Sequence, residues 1–437
     1  MSEVNSRVVK IPNLQKWENQ SLEQLCFHVR RGTAPHYVEQ SSVKAIGQRC
    51  VSKQGFDSSF ARPHSERALD GTLQAIEGDV LLNSTGTGTI GRSVVFRESG
   101  TFIVDGHVTA LRPKVSKCSS TWLSAVLQSP WGQEHLERFC YSGSTNQVEL
   151  SASALRVSAV PAPSYDEQSK IAEVLDTLDA AIRGTEAVVA KLKAMKQGLL
   201  HDLLTRGIDA NGDLRPPKPE APQLYKQTPL GWLPKEWDVA ELGTITSLVT
   251  SGSRGWARFY SDDGHLFVRS QNVRMGTLDL TERQHVRVAA SAEGARTALA
   301  ASDFLVTITG NGVGNACVVP DKWDETAFVS QHVGLVRFFD KSLGGYAGRF
   351  FIAGGPGNHQ ILDAQYGQSK PGLSLTNLRE LRMGIPPVSE RTNLMKILAE
   401  ADEKIADENA LLDKLRLQKF GLMDDLLTGR RPVTALL

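Results

Sequence analysis

The sequence lacks any long hydrophobic run. No stretch of the roughly 18 consecutive apolar residues that a membrane-spanning helix needs occurs in the chain of 437 residues. The N-terminal segment, MSEVNSRVVKIPNLQKW, has no apolar core of the kind that a secretory signal peptide carries. We therefore expect a protein that resides in the cytoplasm.

Cysteine is scarce and scattered. The chain has five cysteines, an odd number, and none stands in a Cys-x-x-Cys pair. They are Cys26, Cys50, Cys118, Cys140 and Cys317. A disulfide framework and a zinc site both need paired or regularly spaced cysteines, so the sequence predicts neither of them and no bound metal.

An excess of positive charge is also missing. Lys and Arg number 49 against 48 Asp and Glu, which gives a net charge of +1. A nucleic-acid partner would therefore have to be held by local basic patches, because the chain as a whole offers no basic surface.

Signatures of catalysis and of nucleotide binding are absent. The sequence has no Gly-x-Ser-x-Gly, no His-Glu-x-x-His, no Walker lysine motif and no Asn/Asp-Pro-Pro-aromatic tetrapeptide, the signature of adenine methylation. His107 and His332 recur at corresponding places, and we interpret them as inward-pointing histidines that satisfy strand ends rather than as a catalytic pair. We expect a chain that is not an enzyme and that needs no cofactor.

One glycine motif does match the dinucleotide fingerprint, GxGxxG, at Gly86–Gly91. That fingerprint works because a helix N-terminus follows the glycines, whereas here the β-branched segment RSVVF follows. A second copy at Gly310, Gly312 and Gly314 breaks the spacing. We interpret both as glycine turns between two strands.

A long internal repeat is present. KLKAMKQGLLHDLLTRG (191–207) resembles KLRLQKFGLMDDLLTGR (414–430), and Glu167–Gly207 aligns with Glu390–Arg430 without a gap. Apolar residues spaced by three, four or seven predict two amphipathic helices that pack on each other. Each helix of about 38 residues would span roughly 57 Å at 1.5 Å per residue. The predicted packing positions are Ile171, Leu175, Leu178, Ile182, Val189, Leu192, Leu199 and Leu203 in the first copy and Leu394, Leu398, Ile405, Leu412, Leu415, Leu422 and Leu426 in the second.

The repeat extends into the segments before each helix. GDVLLNSTGTGTIGRSVVF (from Gly78) parallels SDFLVTITGNGVGNACVV (from Ser302), and FIVDGHVTALR (from Phe102) parallels AFVSQHVGLVR (from Ala327). Short β-like runs mixed with helical stretches predict an α+β module that is used twice. The predicted divisions are a first module at 1–163, a helix at 164–207, a proline-rich linker at 208–231, a second module at 232–387, a helix at 388–430 and a tail at 431–437.

Polar loops in both modules favour nucleic-acid reading. Arg can pair bidentately with guanine edges, and Asn and Gln can pair with adenine. Any one such loop is more often an ordinary solvated loop, but their occurrence in both copies makes them candidates. The candidate DNA-binding residues are Arg30, Arg31, His36, Tyr141, Ser144, Thr145, Asn146 and Gln147 in the first module, and Arg254, Arg258, Arg269, Ser270, Gln271, Asn272, Arg274, Gln368, Ser369 and Lys370 in the second.

The segments YDEQSKIAEVLDTLDAAI, LKAMKQGLLHDLLTRGIDANGDLRP, TPLGWLPKEW, FVRSQNV and SKPGLSL together resemble the specificity subunits of type I restriction-modification systems. The resemblance covers almost the whole chain. The second helix departs from the family pattern, since it begins SERTNL where the family usually has Glu-Gln.

This resemblance implies two target recognition domains that are separated by two long antiparallel helices, which form a coiled coil with pseudo-twofold symmetry. Each domain would read one half of an asymmetric, bipartite double-stranded DNA site. Two methyltransferase subunits would dock on the frame, with restriction subunits joining in the full complex. A protein-protein interaction scaffold without DNA reading, and an enzyme with a dispersed site, are the alternatives.

Overall fold

The computed structural model of the protein describes residues 7–52, 54–143, 148–252, 254–288, 291–367 and 371–433. Contacts divide the chain into two compact units. Unit 1 comprises Met1–Val188 with Glu408–Leu437, and unit 2 comprises Val189–Asp407. The dividing points fall inside the two long helices, so each unit contains part of both helices.

The two helices predicted from the repeat are present, at Tyr165–Thr205 (α5) and Val388–Leu427 (α11). The first begins with a capping box, in which the Ser164 hydroxyl accepts from the Glu167 backbone N–H and the Glu167 carboxylate accepts from the Ser164 N–H. Both end before a glycine in the left-handed conformation, Gly207 with φ 65° and Gly429 with φ 69°.

The fifteen predicted helix-packing residues lie on the inner side of these helices, because each is buried or half-buried. Within unit 1, Ile171 and Leu175 belong to the same buried cluster as Leu426. Within unit 2, Leu203 shares a cluster with Leu394 and Leu398. In each unit, therefore, one end of α5 and the opposite end of α11 contribute to one core.

Unit 1 is built from short strands and helices around two sheets. Its strands are β1 (Glu18–Ser21), β2 (Cys26–Arg31), β3 (Lys44–Ile46), β4 (Val51–Ser52), β5 (Gly55–Phe56), β6 (Arg62–Pro63), β7 (Gln74–Ala75), β8 (Val80–Asn83), β9 (Ser93–Val95), β10 (Phe102–Val104), β11 (Val108–Pro113), β12 (Tyr141–Ser142), β13 (Glu149–Leu150) and β14 (Ala159–Ala162). Its short helices are α1 (Leu22–Leu25), α2 (Ser120–Gln128), α3 (Pro130–His135) and α4 (Ala152–Val157), with tighter turns at Gln48–Cys50, Ser58–Phe60 and Glu66–Ala68 and a wider π-helical turn at Leu136–Cys140.

Unit 2 repeats this plan. Its strands are β15 (Tyr225–Thr228), β16 (Gly231–Pro234), β17 (Asp238–Glu241), β18 (Thr246–Ser251), β19 (Tyr260–Ser261), β20 (His265–Val268), β21 (Val273–Arg274), β22 (Thr277–Leu278), β23 (His285–Val286), β24 (Phe304–Thr307), β25 (Ala316–Val318), β26 (Ala327–Val329), β27 (Val333–Phe338) and β28 (Arg382–Ile385). Its short helices are α6 (Leu242–Ile245), α7 (Ala292–Thr297), α8 (Ser342–Phe350), α9 (Asn358–Asp363) and α10 (Leu375–Glu380), with tighter turns at Pro222–Leu224, Trp256–Phe259 and Ser270–Asn272.

The larger sheet has the same strand order in both units. In unit 1 the order is β2-β11-β8-β9, and in unit 2 it is β18-β27-β24-β25. All neighbouring strands in these sheets pair antiparallel. A smaller sheet lies beside each one, β6-β3-β10-β7 in unit 1 and β19-β23-β20-β26 in unit 2. A parallel pair joins β3 to β10 and β20 to β26.

The glycine motifs occupy turns between paired strands, as predicted. Gly86–Gly91 connects β8 to β9, and Gly310–Gly314 connects β24 to β25. Each turn contains three glycines with positive φ, between 77° and 95°. Side chains other than glycine rarely adopt this backbone conformation, so the glycines serve turn geometry rather than a phosphate.

The proline-rich segment predicted as a linker at 208–231 carries ordered structure. It contains β15, and Tyr225 is buried. Arg215 forms an ion pair with Glu390 in which both side chains are at least nine-tenths buried. This segment is therefore packed into unit 2, which its polar composition did not indicate.

None of the helices within the described ranges combines the length and the apolar composition that crossing a membrane requires.

Candidate nucleic-acid interface

An ion pair brings two predicted loops of unit 1 together. The Arg31 guanidinium lies 2.8 Å from the Glu149 carboxylate, and it also donates to the carbonyl of Gly106. Glu149 stands two positions after the last of the predicted residues Ser144, Thr145, Asn146 and Gln147, which lie outside the described residues. Arg31 therefore holds the start of one polar loop beside the other, and much of its charge is already neutralised.

Tyr141 packs on the glycine turn of unit 1. A side chain at Gly91 would place its Cβ 2.3 Å from the Tyr141 hydroxyl, so the turn and the ring are in close approach. Gln133 ties the same turn down, since its amide donates to the Gly91 carbonyl over 2.9 Å. Burial raises the pKa of Tyr141 to about 12, so its hydroxyl remains protonated and can donate a hydrogen bond.

Arg30 and His36 lie on the exposed side of unit 1. Arg30 is on β2, and no carboxylate partner for it occurs in the described part of the chain. The backbone N–H of His36 donates to Nδ1 of His64 over 3.0 Å, which leaves the His36 ring exposed. Both residues remain available to a ligand.

The loop 269–274 of unit 2 divides into structural and available residues. Asn272 is 2% exposed, and its side chain accepts from the Arg269 backbone N–H and donates to the carbonyls of Asp279 and Glu282. This corrects the prediction for Asn272, because every polar atom of its amide is engaged in building the loop. Gln271 is exposed but donates to the Glu282 carboxylate, and Ser270 is half-buried.

Three arginines of unit 2 keep exposed charge. Arg254 and Arg258 lie on the surface, and the Arg258 guanidinium is 4.7 Å from the centre of the Phe259 ring. Arg274 is exposed, with its Nε 3.8 Å from the Asp279 carboxylate. The remaining predicted residues, Gln368, Ser369 and Lys370, lie outside the described residues.

The two recurring histidines occupy turns, so the interpretation of them as inward-pointing is wrong for His107. The His107 side chain is 59% exposed and lies in a turn between β10 and β11, with Nδ1 3.1 Å from the Asp105 carboxylate. His332 lies in the corresponding turn before β27, half-buried, with Nδ1 2.6 Å from the Thr309 hydroxyl. A turn of two residues aims its side chains outward, which the strand-like flanks concealed.

Sequence analysis missed four surface residues of unit 1. The Arg62 guanidinium lies 3.6 Å from the centre of the Tyr37 ring, and the Arg49 guanidinium lies 4.4 Å from the centre of the Phe60 ring. The only sign of these contacts in the sequence is that the aromatic Phe60 and the basic Arg62 stand two positions apart. Arg49 lies in a turn, Gln48–Cys50, that matches Ser270–Asn272 of unit 2 in position between two strands, although the two sequences share nothing.

Two buried thiols of unit 1 have raised pKa values. Burial raises the pKa of Cys26 to about 12 and that of Cys50 to about 11, so these thiols remain protonated. No group of three or more His, Cys, Asp or Glu side chains that could hold a metal ion occurs among the described residues.

Three comparisons with known proteins bear on this architecture. The family model of the type I restriction modification DNA specificity domain matches residues 68–194. A putative type I restriction enzyme MjaX specificity subunit of Methanocaldococcus jannaschii is 24% identical over 170 residues, which cover 38% of this chain and 37% of that protein. The MjaVIII specificity subunit of the same organism is 18% identical over 273 residues, which cover 62% of this chain and 61% of the relative. The matches thus span less than two thirds of either relative.

Solved structures match over more of the chain. A chain from a structure of complex assembly and conformational transition in a type I restriction-modification system is similar with a TM-score of 0.57 at 13% identity, over 96% of this chain and 99% of that one. The specificity subunit from M. genitalium is similar with a TM-score of 0.56 at 12% identity, over 95% and 96%. At this identity the likeness concerns the fold, and the fold is that of type I specificity subunits.

The family, the relatives and the fold agree with the resemblance drawn from the sequence motifs. Residues 68–194 of the chain thus match the type I specificity-domain family, and the chain is similar in fold to the M. genitalium specificity subunit.

Proposed function

We propose that the chain is the DNA-recognition subunit of a type I restriction-modification complex. Each unit contains one target recognition domain that reads one half of an asymmetric, bipartite site in double-stranded DNA. The long helices set the distance between the half-sites and dock two methyltransferase subunits, with restriction subunits joining in the full complex. The chain itself transfers no methyl group, cuts no DNA and binds no cofactor.

The observation that carries this proposal is a repeated framework with different surface loops. Both units have the same order of strands in the larger sheet, and both bury the carboxylate of an Asp–Arg pair at the same place, Asp79 with Arg112 and Asp303 with Arg337. The loops differ in sequence. A module that keeps its framework and varies its loops can read a different sequence in each copy, since sequence is read by side chains on loops.

Matched contacts between the helices support an antiparallel coiled coil. In unit 1 the Lys419 ammonium lies 2.6 Å from the Asp179 carboxylate. In unit 2 the repeat-related Lys196 and Asp402 form the same ion pair. Helices of 41 and 40 residues are about 60 Å long at 1.5 Å per residue, enough to bridge half-sites one or two turns of DNA apart.

The exposed apolar residues of the second helix support a role in docking. Leu417 is 73% exposed and Phe420 is 57% exposed, and both lie on the part of α11 that belongs to unit 1. Exposed apolar side chains close together on one helix are typical of a surface that a partner covers. Methyltransferase subunits docked there could supply phosphate contacts, which would complement a chain whose net charge is only +1.

Two measurements test this function. Mapping of methylated adenines in cells with and without the gene identifies the site. Electrophoretic shift of the chain assembled with its methyltransferase partner should then show binding to DNA that carries this site. Assembly without any shift on such DNA would favour the interaction scaffold instead. Methyl transfer by the purified chain alone, with a methyl donor and DNA, would contradict the non-catalytic role.

A further inference from the structure

Two arginines of unit 1 have their guanidinium groups over aromatic rings and have no carboxylate partner among the described residues. The Arg62 guanidinium is 3.6 Å from the centre of the Tyr37 ring, and that of Arg49 is 4.4 Å from the centre of the Phe60 ring. Both rings are exposed, at 42% and 41%. We refer to Tyr37, Arg49, Phe60 and Arg62 as the Arg–aromatic edge of unit 1.

A stacked guanidinium is oriented without being neutralised. The contact with the ring uses few of the five N–H groups of the guanidinium, so others can still donate to a ligand. The planar fork of donors then matches two acceptors side by side, such as O6 and N7 of guanine or two oxygens of a phosphate. Ion-paired arginines of the same unit, such as Arg31 and Arg112, have already committed their donors to carboxylates.

The backbone beneath Tyr37 is held by a buried histidine. His64 is completely buried; its Nδ1 accepts from the backbone N–H of His36 over 3.0 Å, and its Nε2 donates to the carbonyl of Ala68 over 3.0 Å. Both ring nitrogens are thus satisfied in the neutral tautomer. Tyr37 also forms a β-bridge with His64, so the exposed ring stands on a fixed piece of chain.

Unit 2 places a tyrosine at the same register. Tyr37 bridges to His64, which follows β6, and Tyr260 pairs with Val286, at the matching place in β23. β6 pairs antiparallel with β3, and β23 pairs antiparallel with β20. β3 and β20 are also the strands that take part in the parallel pair of each smaller sheet. Tyr260 is 43% exposed. The guanidinium of Arg258 lies 4.7 Å from the centre of the ring of Phe259, the residue before Tyr260.

We propose that the Arg–aromatic edge of unit 1, and Arg258, Phe259 and Tyr260 at the matching place in unit 2, are contact surfaces for duplex DNA. This inference rests on the proposed function and adds the residues that carry it. The stacked arginines donate bidentately to a guanine edge or to a phosphate, and the rings hold them in position. A guanine edge and a phosphate each present two acceptors side by side to such a fork of donors, and the proposed function supplies the duplex that carries them.

Binding of DNA by the full chain, assembled with its methyltransferase partner, tests the inference. Fluorescence anisotropy would give the Kd for a duplex that contains the site identified by methylation mapping and for a duplex that lacks this site. The variants are Arg62→Ala, Arg49→Ala with Arg62→Ala, Tyr37→Ala and Arg62→Lys, with Arg258→Ala for unit 2. Arg156→Ala is the matched control, because Arg156 is also exposed and also has no carboxylate partner in the described ranges. Its neighbour Leu155 packs in the core that contains Ile171 of the long helix, away from this edge.

We expect the double variant to bind the site at least tenfold more weakly, and Arg156→Ala to stay within twofold of the native Kd. Tyr37→Ala should also weaken binding several-fold, although it removes no charge, because the ring orients Arg62. Arg62→Lys keeps the charge and should still lose affinity, since an ammonium cannot form the bidentate pair. Loss confined to the site duplex would identify a guanine edge, and an equal loss on both duplexes with a smaller salt dependence would identify a phosphate.

An unchanged Kd for the double variant, with native binding intact, would overturn this inference and leave the proposed function standing. Loss of methyltransferase assembly without loss of DNA binding would overturn it too, in favour of a protein partner. Absence of DNA binding by the native complex would instead contradict the proposed function itself. Equal melting temperatures for the native chain and Arg62→Lys would show that altered folding does not explain the result.

Discussion

The two units share their interior but differ where the long helices begin. Asp79 accepts from Nε and a terminal nitrogen of Arg112, both over 2.8 Å, and from the backbone N–H of Ile76. Asp303 makes the same set of contacts with Arg337 and with the N–H of Ala300. Thus a carboxylate at the start of one strand fixes a guanidinium on its neighbour in both units.

The helix starts use different chemistry at aligned positions. Gln168 of α5 is buried; its amide accepts from the Ser119 N–H over 2.9 Å and donates to the carbonyls of Lys117 and Pro163. Arg391, the aligned residue of α11, is buried as well, but it donates to the Asp340 carboxylate and the Ser342 hydroxyl.

The preceding glutamates differ even more. Glu167 caps its own helix, whereas Glu390 is buried and binds Arg215, the indole N–H of Trp237 and the backbone N–H of Ile208. At the start of its long helix, unit 1 uses the neutral hydrogen bonds of Gln168, whereas unit 2 uses the ion pairs of Glu390 with Arg215 and of Arg391 with Asp340. The comparison teaches that a duplicated framework can keep its geometry while the two copies depend on different forces.

The largest expected effect is at Glu390. Glu390→Gln should lower the stability of unit 2 by about 3–5 kcal/mol, because the buried Arg215 would lose its close carboxylate partner and keep only Glu236, 3.9 Å away. Glu167→Gln is the matched change in unit 1 and should cost about 1 kcal/mol, since only a cap is weakened. Hydrogen exchange followed peptide by peptide would measure both losses. Equal losses at the two positions would contradict the distinction drawn between the units.

The Asp–Arg pairs should respond alike. Asp79→Asn and Asp303→Asn should each lower the stability of their own sheet by about 3 kcal/mol, because a buried carboxylate that binds a half-buried guanidinium is replaced by an amide without charge. Hydrogen exchange would be measured in β8 and β11 for Asp79→Asn, and in β24 and β27 for Asp303→Asn. A large loss of stability in one unit and none in the other would show that the two pairs, although alike in geometry, do not stabilise their sheets equally.

Arg391 offers a test of intermediate size. Arg391→Gln installs the residue that α5 has at the aligned position, and it should cost unit 2 about 2 kcal/mol because hydrogen bonds to a charged group are lost. Gln168→Asn in unit 1 is the control for shortening a buried amide. Urea unfolding of both variants would measure the difference in stability. It would be monitored through the hydrogen-exchange protection of the peptides that flank each helix start.

Acid should affect the two helix starts differently. Burial raises the pKa of Asp340, but the Ser342 hydroxyl and backbone N–H and the nearby Arg391 outweigh it, and the pKa lies below its ordinary value of 3.8. A depressed pKa stabilises the folded state fully above about pH 4, and this stabilisation is lost as the pH falls through the folded value. Protection at the start of α11 should therefore fall with acid in the native chain more than in Arg391→Gln. An identical acid response would contradict the role given to this pair.

The smallest expected effects are at the ion pairs between the helices. Lys419→Glu should cost about 1 kcal/mol, because it opposes Asp179 with a like charge at a partly exposed site. Lys196→Glu should cost less, about 0.5 kcal/mol, since Arg349 also contacts Asp402 and remains to hold it. Thermal unfolding measures both. Restoration by Asp179→Lys in the Lys419→Glu background would confirm the pairing, and failure to restore would contradict it.

Much of the fold follows from patterns that the sequence displays. The apolar spacing and the caps predicted α5 and α11 to within three residues at each end, and β-branched residues after Gly91 predicted a strand in place of a helix. These elements are fixed by local physics, so a single sequence reveals them.

The site was predicted less well because it depends on contacts distant in sequence. Asn272 looked like a base-reading residue, but its amide is satisfied by carbonyls seven and ten residues away. The stack of Arg62 on Tyr37 joins residues that are close only because the chain near Tyr37 bridges to His64. Likewise, Arg215 seemed part of a polar linker, and its partner Glu390 is 175 residues further along. Periodicity carries no information on such pairs.

Exchange of one module tests the central claim most directly. Met1–Pro161 would be replaced by the corresponding region of a relative with a different site, and methylated adenines would be mapped across the genome. We expect one half of the methylated sequence to change, while the other half and the distance between the two halves stay as they were. A change in both halves, or in neither, would contradict the claim that each unit reads its own half-site.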